Sequence, residues 1–431
     1  NIFVSNLFRL IINNIKMKNM IILIISFLTL FNCTKEEEVM VYVDREVQVE
    51  VEKIVTVTNT VTETVNVLVP PEDYGFTRGG KSTVFYTGQT TRLEQAAELK
   101  KDMNDAASTK TLLDNMFNNG TGFTDSTLDG SKKIGNKTAA SPIASATVKP
   151  IFDTWITEFA EVVAPAVNSG TTASAGVAGL YTESDGSREV KINGKGFEFN
   201  QLFSKGLIGA LQIDQIINQY LSVGKLDSGT AREDNDNGVY GYALPGETEL
   251  TITKMEHYWD EGFGYLQGMD NQFIPGGQPD GDRAHLNYYL DKINKQDNES
   301  GITQKIYDAF TLGRAAIVAK DYVERDKQAA IVAAELSKVI GYKAFYYIEK
   351  GSTSIAAGKW AAAHHALSEA YGFILGMQFT KAADGEPYMT NAEVNTMLDA
   401  LAAGNGFWDR TPAELDDMAV QLKAATGLSS P

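Results

Sequence analysis

Valine occupies twelve positions between 39 and 69 (39, 41, 43, 47, 49, 51, 55, 57, 61, 65, 67 and 69), and every one is odd. That is period two, the repeat of a β-strand, and the intervening Asp44, Glu46, Glu50, Glu52, Thr56, Thr58 and Thr62 make the opposite face polar. An isolated strand leaves its backbone unpaired. The tract therefore reads as an extended tether, up to about 100 Å long at strand rise, or as an edge that pairs with a second copy or with a partner's sheet. Pro70-Pro71 ends it, because proline supplies no ladder donor.

Beyond Tyr74 the period becomes helical. Leu93, Ala96, Ala97 and Leu99 form a stripe within Thr91 to Met103, and Phe152, Trp155, Ile156 and Phe159 form another within Val148 to Val163. Helices are expected from Phe197 to Val223, from Tyr307 to Ile348 as one or two pieces, and over Trp360 to Thr380, Asn391 to Ala402 and Thr411 to Ala425. Thr411-Pro412-Ala413-Glu414 is a start signal, with Pro at the first helical position and Glu three residues after the cap. Gly170 to Gly179 and Glu183 to Gly194 read as loops with at most one hairpin. The fold class is all-α.

Ahead of the valine tract, residues 1–16 read as upstream sequence before a start at Met17. Residues 17–33 have the layout of a lipoprotein signal peptide: a lysine-bearing opening, an apolar run from Met20 to Phe31 and then Cys33. The run is too short to span a bilayer. Cys33 is the single cysteine of the chain, so it has no disulfide partner, and lipidation accounts for it. Leu30-Phe31-Asn32 resembles a loose lipobox, and Thr34-Lys35-Glu36-Glu37-Glu38 is similar to the acidic signal that directs Bacteroidetes lipoproteins to the outer face of the outer membrane. The alternatives are an ordinary signal peptide cut near Cys33 and an uncleaved anchor. Residues 34–71 would then be the acidic, valine-rich tether and 72–431 the body.

Composition changes the picture in one respect. With 43% hydrophobic and 22% charged residues the chain is ordinary globular material, but its net charge of -17 argues against a phosphate-backbone partner, which needs clustered Lys and Arg. Nucleic acid is not expected to bind.

The candidate chemistry lies in an internal repeat. His257 to Met269 aligns without gaps with His365 to Met377, 108 residues on, with five of thirteen positions identical. Only four histidines exist, and two share this slot. The body is thus expected to be a pair of duplicated helical bundles, the first repeat over about 195-270 and the second over about 303-380. His at i and Glu at i+4 share a helix face, so His257 with Glu261 and His365 with Glu369 are two candidate pairs. If a pseudo-twofold brings them together, two imidazoles and two carboxylates suit iron, zinc or manganese. The other reading is two buried hydrogen-bonded pairs in the core. His364 lies about 100° off the His365 face, toward solvent or another helix. Gly264, Gly268, Gly372 and Gly376 would let helices approach closely.

These segments, with Tyr86-Thr87-Gly88-Gln89, Lys205-Gly206-Leu207-Ile208-Gly209-Ala210 and Gly313-Arg314-Ala315-Ala316-Ile317, resemble the Bacteroidetes lipoproteins catalogued as domain of unknown function 4856. More distantly the chain is similar to imelysin-like proteins, which are duplicated helical bundles, often iron-regulated, with a Gly-x-His-x-x-Glu motif. Here neither histidine has Gly two residues before it, and Glu follows at four residues rather than three.

Asp234-Asn235-Asp236-Asn237-Gly238 resembles the opening of a calcium loop, but its twelfth position is Pro245, which cannot close one, and Asp280-Gly281-Asp282 reads as turn chemistry. No Ser-His-Asp order, His-Glu-x-x-His helix or phosphate-cradling glycine loop is present. Three function classes remain. The first is an outer-membrane lipoprotein, surface-exposed or facing the periplasm, that binds a metal (iron or zinc) or a metal-bearing ligand as an accessory to an uptake partner. The second is a structural or adhesive surface protein using the polar loops Ser228 to Thr251 and Asp270 to Arg283. The third is a metallopeptidase, for which four symmetric ligands leave neither an open coordination position nor a general base.

Overall fold

The computed structural model describes residues 68–130, 132–140, 146–269 and 284–429. The chain divides into two units at Glu72/Asp73. Cys33, the leader, the valine-rich tract up to residue 67 and Asp280-Gly281-Asp282 lie outside the described residues.

The second unit is mostly helical. Helix α1 (Thr87–Asp102) is followed by α2 (Lys149–Glu158), which runs on through wider turns to Asn168. Helix α3 (Phe199–Leu207) continues as a π-helix over Ile208–Tyr220. Then come α4 (Lys254–Gln267), α5 (Leu286–Asn294), α6 (Ile302–Ala319), α7 (Tyr322–Ala356), α8 (Trp360–Gly376), α9 (Asn391–Ala402) and α10 (Pro412–Thr426). Two small antiparallel hairpins complete it: β1 (Thr77–Arg78) with β2 (Lys81–Ser82), and β3 (Gly179–Thr182) with β4 (Glu189–Ile192).

The all-α reading is correct in kind, with differences that have physical causes. The stretch expected from Tyr307 to Ile348 is two helices: α6 ends at Lys320 with φ 62, and the Asp321 side chain caps α7 by accepting the Glu324 N–H. The long helix over 199–220 is present, but its second half is underwound to the wider i→i+5 ladder. The segment read as a calcium-like turn is the short helix Ala231–Asp236, in which Asp234 is held by Thr230 and Lys254 and Asn235 is buried. At the start of α10 the capping box is formed as expected, Thr411 and Glu414 satisfying each other's backbone N–H.

The core runs between α3, α4, α7 and α8. Leu202, Phe203, Ile213, Trp259, Phe263, Leu336, Ile340 and Phe373 are all buried. Gly209 at the start of the π-helix meets Gly376 at the end of α8 backbone to backbone; a Cβ on Gly376 would lie 3.2 Å from Gly209 Cα. Of the four repeat glycines, Gly264 and Gly372 play one role: a Cβ on Gly264 would come within 2.5 Å of Tyr86 Cβ, and one on Gly372 within 2.6 Å of Lys205 Cβ. Gly268 and Gly376 differ, since Gly268 ends α4 with φ 88 while Gly376 is still helical.

The two halves have matching contacts. The Phe85 N–H, just before α1, donates to Asp260 Oδ2 at 3.2 Å, and the Glu198 N–H, just before α3, donates to Ser368 Oγ at 2.9 Å. Asp260 and Ser368 are equivalent positions of the repeat, so α1 docks on α4 as α3 docks on α8. The opposite flank agrees: Trp259 packs on Gly313 of α6, and its counterpart Leu367 packs on Gly351 of α7.

Candidate functional site

Two faces of α4 carry chemistry, because a step of one residue turns the helix by 100°. Glu256 and Asp260 share one face and His257 and Glu261 the next. The capping box Thr253–Glu256 starts the helix, so the carboxylate that caps it is also fixed for use elsewhere.

The histidine faces come first. His257 Nδ1 lies 3.1 Å from the Phe85 carbonyl oxygen, which can only accept, so Nδ1 carries the hydrogen. Its Nε2 then faces Glu261 Oε2 at 3.8 Å, and Glu261 Oε1 accepts from Gln89 at 2.8 Å and from the Tyr220 hydroxyl at 3.2 Å. Burial holds the imidazole below its ordinary pKa, with the Glu261 charge pulling the other way. In the second half His365 Nδ1 donates to Glu198 Oε2 at 2.7 Å, Nε2 faces Glu369 Oε2 at 3.6 Å, and Glu369 Oε1 takes the Tyr289 hydroxyl at 3.4 Å. Each half therefore aligns lysine, tyrosine, glutamate and histidine. Lys137 stands 3.0 Å from the Tyr220 hydroxyl, and Lys205 stands 3.6 Å from Glu369. His257, Glu261 and His365 retain 11%, 18% and 21% side-chain exposure, so these are edges rather than sealed core.

Each histidine is thus brought to its own glutamate. The two pairs have different neighbours, α1 and the π-helix for one, α3 and α5 for the other. Among the described residues no three His, Cys, Asp or Glu side chains are grouped to hold a metal ion. His364 faces aromatic rings, not solvent: its ring centroid is 4.1 Å from that of Trp408, with Trp360, Phe407 and Tyr181 around it, and burial pushes its pKa down to about 3.

The acidic face of α4 is where the sequence reading was blind. Arg314, fully buried on α6, donates from Nε to Asp260 Oδ1 at 3.0 Å and from Nη1 to Glu256 Oε1 at 2.9 Å, and its Nη2 reaches Thr83. Tyr74 donates its hydroxyl to Asp260 Oδ1 at 2.8 Å and stacks on Phe263 at 3.8 Å, while Arg78 pairs with Glu256 at 2.8 Å. The network clamps the segment 74–86 onto α4 and α6. Burial raises the Asp260 carboxyl to about 6 against the pull of Arg314. Burial opposes ionisation of Glu256 too, but Arg314 and Arg78 together hold it down to about 2. In the second half His364 and Ser368 stand where Glu256 and Asp260 stand in the first, so the charged clamp belongs to one half only. The signal in the sequence was an i, i+4 acid pair inside an aromatic segment. Beside the clamp lies a pocket of about 530 Å³ lined by Tyr74, Ser82, Val84, Tyr86, Thr87, Thr90 and Thr91.

A family model matches residues 71–429, nearly the whole of the second unit. The chain belongs to the family described as Domain of unknown function (DUF4856). No curated protein and no solved structure matches it. The membership spans both halves of the DUF4856 body, so the paired His–Glu arrangement and the Arg314 clamp both fall within the family's region. Among the described residues no helix is long and apolar enough to cross a membrane.

Proposed function

We propose that this DUF4856 member is an outer-membrane lipoprotein, anchored through Cys33, whose body binds a metal-bearing ligand at two equivalent His–Glu sites and serves as an accessory to uptake. The observation that carries the reading is the orientation of the two imidazoles. In each half Nδ1 donates to a carbonyl or carboxylate acceptor, which turns Nε2 toward a carboxylate oxygen 3.6 to 3.8 Å away. A ring nitrogen and a carboxylate oxygen facing each other call for a cation between them, either a proton or a metal. Histidines that ligate metals characteristically donate their other nitrogen to a carbonyl or carboxylate, which fixes the ring.

Two protein donors are too few for iron or zinc by themselves. Lysine beside each glutamate also weighs against a bare divalent cation. Both features fit a metal that arrives with anionic ligands of its own, the imidazole and carboxylate completing its coordination. The anchor supports the location, since the acyl chains on Cys33 would hold the chain at the membrane. Catalysis is not part of the proposal, because the sites offer no separate general base.

Calorimetric titration of the metal-free protein with zinc and with ferric citrate tests it. Heat that disappears in His257→Ala and His365→Ala supports the proposal, and no heat with either probe contradicts it. The second reading is that the pairs are locks joining α1 to α4 and α3 to α8, favoured by the tight contacts to Phe85 and Glu198. It predicts no response to metal and a destabilisation of about 1 to 3 kcal/mol on removing either histidine.

A further inference from the structure

The surroundings of Glu369 differ from those of Glu261 in the depth and number of their cations. Lys205 is 1% exposed and Lys343 is 5% exposed, and both ammonium groups lie near one ring, 5.3 and 5.9 Å from the centroid of Tyr289. Lys205 has Glu369 at 3.6 Å. Lys343 lies 4.9 Å from the centre of the Tyr346 ring, and Glu369 is the carboxylate that bears on it electrostatically. The acidic side chains Asp291 of α5 and Glu349 of α7 are engaged by other lysines, Lys295 and Lys423.

One carboxylate thus faces two buried ammonium groups. Two more lysines stand at the surface end of the same patch, Lys292 over the Tyr288 ring and Lys350 over the Tyr347 ring, and both bear electrostatically on Lys343. Such a concentration of positive charge on a chain of net charge -17 is a local inversion of its field. An ammonium held largely out of water is unfavourable unless it sheds its proton or its charge is balanced by anions. The first tendency is visible, since burial pushes Lys343 down to about 8.

We propose that Lys343 and Lys205, with Lys292 and Lys350 at the entrance, form an oxyanion site that takes the phosphate or carboxylate groups of a small polyanionic ligand. The proposal deepens the reading of the second His–Glu site and rests on that site being a binding site, though not on a metal being bound there. Lysine suits the role as a point charge that accepts oxyanions in varied orientation. The alternative source of neutralisation, a carboxylate of the chain itself, is Glu369, and Lys205 and Tyr289 already claim it.

The experiment is calorimetric titration of the purified, chelator-treated full chain with inorganic phosphate and, separately, with citrate, at constant ionic strength set by chloride. Binding of at least one probe is expected, weakened at least tenfold in Lys343→Met and about threefold to tenfold in the Lys292→Met/Lys350→Met double variant. Both substituted rim positions are exposed, so the double variant remains informative if Lys343→Met fails to fold. His365→Ala should leave anion binding within about twofold of the parent while abolishing metal binding at that site. Loss of metal binding alone would therefore remove the metal reading and leave the anion site standing. No heat with either probe, or a dissociation constant unchanged by the lysine substitutions, would overturn the proposal. The preferred probe separates a phosphate ligand from a polycarboxylate.

Discussion

Replacing Arg314 by methionine should be among the most damaging single changes to the body. The guanidinium is fully buried and ties Asp260, Glu256 and the Thr83 backbone together. Methionine fills much of the volume but returns no hydrogen bond, leaving Asp260 with only Tyr74 and the Phe85 N–H, and Glu256 with Arg78 and the Thr253 N–H. Breaking a buried pair by removing one partner costs about 3 to 5 kcal/mol. Urea unfolding followed by far-ultraviolet circular dichroism at neutral pH should show that loss. Trypsin should also cut more readily after Arg78 and Lys81, since the clamp holds their segment down. A loss below about 1 kcal/mol, with unchanged cleavage, would refute the reasoning.

The same network sets a pH dependence. A carboxyl raised to about 6 on folding keeps its proton when the unfolded chain, near 3.8, has released it, so the contribution of Asp260 is greatest at low pH and is lost as pH rises through about 6. Glu256 works in the opposite sense: held at about 2, it contributes above its unfolded value of 4.5 and loses that contribution as pH falls toward 2. Each is on the order of 3 kcal/mol at about 1.4 kcal/mol per tenfold change in proton affinity. In the Arg314→Met protein Asp260 should protonate at still higher pH, so the variant should be less impaired at about pH 5 than at about pH 8. An impairment independent of pH would contradict the assignment of the charge to Asp260.

Three further outcomes are expected. Gly209→Ala should destabilise by about 1 to 3 kcal/mol in thermal or urea unfolding, because its Cβ would overlap the Gly376 backbone and neither helix can retreat without opening the core. Cys33→Ser should move the protein from the membrane fraction to the soluble one, through loss of the acyl chains, and unchanged fractionation would remove the anchor. Glu198→Gln should lower metal affinity at the second site by about 10- to 100-fold, since the residue orients His365 without facing the cation, while the first site keeps its affinity.

Helix positions were legible because their apolar stripes decide which face is buried: Phe152, Trp155 and Ile156 are all in the core, and so are Leu93 and Leu99. The repeat was legible because identical residues 108 apart impose identical contacts, seen in Gly264 and Gly372 and in the two His–Glu pairs. The π-helix over Ile208–Tyr220 was not, since periodicity over so few turns does not separate an i→i+5 ladder from an i→i+4 one. Arg314 escaped notice as a functional residue because its partners come from Thr83, Glu256 and Asp260, up to 231 residues away, and an arginine within an apolar stretch carries no mark of the pairing. His364 turns away from the His365 face as expected, and of the two surroundings left open it meets a packed helix, as Trp408 reaches it from beyond the end of α9.

The central claim is that two separate sites, one in each half, hold a cation between imidazole and carboxylate. Elemental analysis of the purified chain after saturation with ferric citrate tests it most directly, with His257→Ala, His365→Ala and the double variant in parallel. Two equivalents per chain are predicted, one for each single variant and none for the double. Loss of all metal in either single variant would mean one shared centre, and absence of metal from the parent would leave the pairs as packing alone.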